Sequence, residues 1–94
     1  MDVIYDDDYG FLRIEWVEGK PFIHLEARKW SHNIMKNIYL PRWVHLLDVL
    51  QKAGHEAVFT VVEDTNKKAL KFHMMFGMEH LYSEKGYTVM WREL

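Results

Sequence analysis

Ninety-four residues suffice for one small domain and not for two cores, because a chain of this length buries only about 60 to 65% of its unfolded surface. Hydrophobic residues at 49% and aromatics at 15% exclude a disordered chain, and the absence of cysteine excludes a disulfide frame and a zinc–thiolate site. A net charge of −2 with both signs interspersed gives no long-range attraction to a phosphate backbone, so nucleic acid is not an expected partner.

The opening residues MDVIYDDDY are acidic where a secretory signal would be basic, and no apolar run approaches the ~18 residues of a membrane span. A cytoplasmic protein with no membrane partner is expected. Val3 to Tyr5 allow a short first strand, and Asp6-Asp7-Asp8 read as a solvated turn or a contact for a basic partner. From Phe11 to Val17, Leu12, Ile14 and Trp16 alternate with Arg13 and Glu15, the pattern of a strand half exposed to water. Phe22 to Arg28 repeats it, with Ile23, Leu25 and Ala27 opposite His24, Glu26 and Arg28, and Glu18-Gly19-Lys20-Pro21 supplies a hairpin turn.

Between Trp30 and Ala53 the apolar stripe changes direction. At 100° per residue, Ile34, Met35, Ile38 and Tyr39 point about 95° away from Trp43, Leu46, Leu47 and Leu50. One straight helix cannot bury both stripes, so the pattern predicts an irregular or short helical segment over 31–39 and a helix over about 41–53. Pro41 would open that helix and Gly54 end it. Residues 56–62 are nearly continuous in β-branched and apolar side chains, which predicts a central strand buried on both faces. Thr65 or Asp64 would cap a helix running to about Phe76 and stopped by Gly77, and residues 79–83 and 87–93 would form a closing hairpin.

No repeat or linker divides the chain, so residues 1–94 are expected to form a single domain. The order β-β-α-β-α-β-β predicts an α+β fold whose mixed sheet is mostly antiparallel and parallel at its centre.

Within TNKKALKFHMMFGMEHL, residues 65–81, the spacing of Asn66, Ala69, Phe72-His73 and Gly77-Met78 resembles a helix of the Gcn5-related N-acetyltransferase (GNAT) superfamily. Members commonly place there an Asn, an Ala three residues later, an aromatic–Tyr pair and Gly-Phe. Element order extends the resemblance over residues 11–93. It implies a GNAT-like fold, with acetyl-CoA as cofactor and an amine as acceptor. Three departures accompany it. The pyrophosphate loop of the superfamily is glycine-rich, whereas this chain has no glycine between Gly19 and Gly54. The usual tyrosine acid is His73. The first two helices of the superfamily have no counterpart among the residues preceding Phe11. Degenerate chains of this kind are familiar among small phage proteins, whose closing pattern resembles Asn66, Lys71-Phe72 and Phe76-Gly77.

Two functions follow from the resemblance. The first is a non-catalytic binding or structural module without a cofactor, phage-encoded and found in the host cytoplasm or the virion. It would act on a protein partner or on a second copy through Met74, Met75 and Lys71, since exposed methionines suit an adaptable contact surface. The second is a minimal acetyltransferase with His73 as acid and Glu26 as base, in which Lys36, Asn37, Arg42 and Asn66 would hold acetyl-CoA. Each candidate also has a plain structural reading. His73 lies on the apolar face of its helix and needs only one hydrogen bond, Glu26 suits a strand ion pair, and the lysines suit a solvated helix face. The six histidines are scattered without metal-ligand spacing, so no metal site is expected.

Overall fold

The computed structural model describes residues 1–94. β1 (Asp2–Asp7), β2 (Gly10–Val17) and β3 (Lys20–Ala27) form an antiparallel meander, and β4 (Ala57–Glu63), β5 (Glu79–Glu84) and β6 (Tyr87–Glu93) complete a six-stranded sheet in the order β1-β2-β3-β4-β6-β5. Both tight hairpins turn on two residues with positive φ, Glu18-Gly19 and Lys85-Gly86, the backbone twist that suits right-twisted strands. The first turn is therefore shorter than the sequence pattern suggests, and Lys20 and Pro21 belong to β3. β1 is longer than Val3 to Tyr5 and carries a bulge between those residues.

Helices cover one face. α1 (His32–Ile34), a π turn (Met35–Tyr39) and α2 (Leu40–Lys52) follow one another without a break. This corrects the expected division at Pro41. The Leu40 N–H reaches back five residues to the Met35 carbonyl. Such a wide turn inserts one residue, worth about 100° of rotation, which cancels the offset of about 95° between the two apolar stripes. Met35, Tyr39, Trp43, Leu46 and Leu50 are consequently all buried along one rod. Pro41 sits just beyond the wide turn, in the first turn of α2.

β4 also departs from expectation. Val58, Thr60 and Val62 are buried beneath the helices, but Val61 on the opposite face is 50% exposed and Phe59 is half-buried. No second layer covers that face, so the apolar run does not mark burial on both sides.

α3 (Lys67–Met75) is capped by Asn66, one residue later than expected, whose side chain accepts from the Ala69 N–H at 3.1 Å. It ends as the Met78 N–H bonds the His73 carbonyl and Gly77 turns at φ +80°. Its inner residues join the core of Leu12, Ile14, Ile23, Val58 and Met90 against Trp43 and Phe76. The Trp43 indole donates to the Phe76 carbonyl at 2.9 Å and ties α2 to the end of α3.

Candidate functional site

β3 and β4 are the one parallel pair, and they meet in register only at Phe22 and Phe59. The Thr60 hydroxyl donates to the Ile23 carbonyl at 3.1 Å just beyond that point. Toward their C-terminal ends the strands lack further pairing, and a groove lies between the end of β3 and α3, lined by Leu25, Ala27, Trp30, Ala69, Phe72 and His73, with Lys68, Lys71 and Met75 at its rim.

His73 is 6% exposed. Its Nδ1 lies 2.7 Å from the Ala69 carbonyl, an acceptor only, so the ring proton is assigned to Nδ1. Nε2 is buried and has no hydrogen-bond partner. Burial lowers the imidazole pKa, and the single backbone bond opposes this only in part. The ring is therefore neutral near pH 7 and carries a lone pair, not a proton, at Nε2.

Aromatic rings occupy much of the space before it. Trp30, 53% exposed, stacks on Tyr39 at 6.0 Å and meets Phe72 edge-on at 5.6 Å, and Phe72 in turn lies 4.9 Å from Phe76. The Tyr39 hydroxyl sits between the Tyr9 carbonyl, at 2.6 Å, and the Lys29 carbonyl, which anchors the segment carrying Trp30.

Of the other candidates, Glu26 and Arg42 both line a small cavity with Leu25, Phe72 and Phe76 that does not include His73, and the rest are dispersed. Glu26 follows Leu25 on β3 and so points to the opposite face of the sheet from the groove. Its carboxylate meets Arg28 Nε at 3.2 Å. Arg42 reaches the Asp7 carboxylate at 2.5 Å and lies 4.5 Å above the Tyr5 ring. Asn66 caps α3. Lys36 lines a separate depression on the helix surface with Pro41, Val44 and Asp48, and Asn37 is exposed on the π turn. Lys71, Met74 and Met75 do lie together on the outside of α3, the two methionines 62% and 54% exposed.

Asp7 and Asp6 prove to be staples. Asp6 meets Arg13 and Arg28, both at 3.1 Å, and these partners hold its carboxyl below the usual range. Pairing with Arg42 does the same for Asp7. Two features were not legible in the sequence. Trp30 forms a wall of the groove, although only its neighbour Ser31, the N-cap of α1, marks that segment locally. A chain of hydroxyls also runs from His80 through Ser83 and Thr88 to Asp64 and fastens the last hairpin to the start of α3.

These elements define a small α+β domain with a mixed six-stranded sheet. No family model and no curated protein matches the sequence. Solved structures of similar fold include the following two. A crystallised domain from Methanocaldococcus jannaschii superposes with a TM-score of 0.70 at 14% identity, covering 92% of this chain and 56% of that one. PH1933 from Pyrococcus horikoshii gives 0.64 at 18% identity, covering 92% and 58%. The chain thus spans less than two thirds of the length of either.

Proposed function

We propose that this chain is a reduced GNAT-like domain that no longer transfers acetyl groups and works as a binding module. The observation that carries this reading is the state of His73. A proton donor to a departing thiolate needs a proton on an atom that the thiolate can approach. The one ring proton of His73 bonds the Ala69 carbonyl, and Nε2 is buried and bare. The residues that would hold coenzyme A have structural partners or lie apart. Arg42 meets Asp7, Asn66 caps α3, and Lys36 lines a different surface from His73. The binding surface in this reading is the outer side of α3, where Lys71, Met74 and Met75 face solvent.

One observation favours the second reading, a minimal acetyl-CoA-dependent N-acetyltransferase: β3 and β4 pair at a single position and leave a groove beside His73. In that reading Glu26 as base and His73 as acid stand on opposite faces of the sheet, so a bound acceptor would have to bridge them around the end of β3.

The two are separated by an acetyl-transfer assay with acetyl-CoA and a panel of small amines and lysine peptides. The binding-module reading expects thiol release no faster than the uncatalysed reaction. Turnover that is abolished by His73→Phe in a folded protein sinks it.

A further inference from the structure

The open face of the sheet is divided. Register places residues directly opposite one another on the same side. On β1 to β3 that side is charged and internally paired: Asp6 with Arg13 and Arg28 and Glu26 with Arg28 in ion pairs, and Glu15 in a hydrogen bond with His24. On β4, β6 and β5 it is apolar. Phe22, Phe59 and Trp91 are successive neighbours across three strands, followed by the row Val61, Val89 and Tyr82. Phe22 stacks on Phe59 at 5.1 Å, while Val61 and Tyr82 are about half exposed, at 50% and 49%. Register puts Glu63, Glu79, Glu84 and Glu93 on the same side around this band, all four exposed. In contrast to Asp6, Asp7 and Glu26, none of the four is ion-paired.

The outer side of α3 has the complementary chemistry. Lys67, Lys68 and Lys71 are exposed and likewise without ion pairs, and Met74 and Met75 extend the surface. A nine-residue helix is about 14 Å long, and a band of three strands is about as wide, at roughly 4.8 Å per strand. α3 lies on the covered side of the sheet, so the two surfaces of one molecule cannot meet each other.

We propose that the open face of β4, β5 and β6 binds a second copy of this chain through the outer side of its α3. The arrangement deepens the binding-module reading and rests on it for the α3 surface. Face-to-face pairing of two sheets would oppose glutamates to glutamates, whereas the head-to-tail contact opposes lysines to glutamates and lays methionines on aromatic rings. A heterologous contact does not close on itself in a pair, so association continues to rings or short fibres as concentration rises.

Complementation tests it by sedimentation. One variant blocks the open face (Glu79→Lys, Tyr82→Ser, Glu84→Lys), and another blocks α3 with neutral side chains (Lys68→Gln, Lys71→Gln, Met75→Ser), so that the two altered surfaces do not attract each other. The proposal expects the wild type to associate with rising concentration and about tenfold more weakly at high salt than at low salt. Each variant should be monomeric alone, and their equimolar mixture should form 1:1 dimers through the one intact pair of surfaces. A monomeric wild type, association indifferent to salt, or a mixture that stays monomeric overturns it. Should a variant fail to fold, the salt dependence of the wild type alone still decides. Titration of the same wild-type sample with acetyl-CoA reads the underlying assignment separately: a monomer that ignores acetyl-CoA defeats only the head-to-tail contact, and acetyl-CoA turnover defeats the binding module.

Discussion

The His73 imidazole lies 2.7 Å from the Ala69 carbonyl, one turn back on the same helix, and this bond fixes both the tautomer and the silence of the other nitrogen. Burial is the larger cause of its lowered pKa. The unfolded chain binds a proton near pH 6.5 that the folded chain refuses, so stability is complete above 6.5 and falls as pH drops from there toward the lowered value. The slope in that window is at most about 1.4 kcal/mol per pH unit. Ring proton shifts of His73 should titrate at lower pH than those of a free imidazole, and denaturant titrations at pH 7 and 5.5 should show the loss.

His73→Leu should remove that pH dependence. It also removes a buried acceptor without a partner, which costs about 1 to 3 kcal/mol in other proteins, so stability at pH 7 is expected to stay level or rise by about 1 kcal/mol. A large destabilisation in chemical denaturation would show that Nε2 is doing something other than being buried.

Trp43 packs edge-on against Phe76 at 5.5 Å and donates to its carbonyl at 2.9 Å. Trp43→Phe keeps an aromatic ring but loses the bond and part of the volume. Arg92 also donates to the Phe76 carbonyl, at 3.2 Å, so that acceptor is not stranded. The expected cost is about 1 to 2 kcal/mol, read as a lower midpoint at unchanged denaturant slope.

Gly77 is constrained twice. Its φ of +80° disfavours a side chain, and an added Cβ would stand 1.9 Å from an Arg92 guanidinium nitrogen. Gly77→Ala should therefore cost more than the roughly 1 to 2 kcal/mol of the backbone term alone, because Arg92 must also leave the Phe76 carbonyl. Thermal unfolding of this variant beside Arg92→Lys separates the two contributions.

Much of the fold was legible because it follows local periodicity. Alternation in Leu12, Ile14 and Ile23 marks β2 and β3, and Gly19 and Gly86 mark the turns. The π turn is legible only as a contradiction: the shift of the apolar stripe predicts a break, whereas one inserted residue restores a continuous rod. β4 misled for a different reason. A run such as Ala57 to Val62 records that both faces are apolar, and nothing in it records whether a second layer of the same chain covers both. The candidate site was legible as a list of residue types but not as a place: Arg42 pairs with Asp7, 35 residues away in sequence, while Glu26 and Asn66 take the local partners Arg28 and Ala69.

Acid should act in a second, lower window. Asp6 and Asp7 have pKa values lowered from 3.8, chiefly by hydrogen bonds from Arg13 and from Arg42 respectively. Stability from these pairs is complete above about 3.8 and is lost as pH falls through the lowered values. Asp7→Asn should flatten the melting-temperature profile below pH 4 and leave the window set by His73 unchanged.

On the proposed reading, the groove beside His73 belongs to a retained scaffold and not to a working acetyl-transfer site. Calorimetric titration of the full chain with acetyl-CoA tests it most directly. No heat of binding is expected below millimolar ligand, for wild type and His73→Ala alike; micromolar binding that weakens in His73→Ala or Lys36→Ala would overturn that reading.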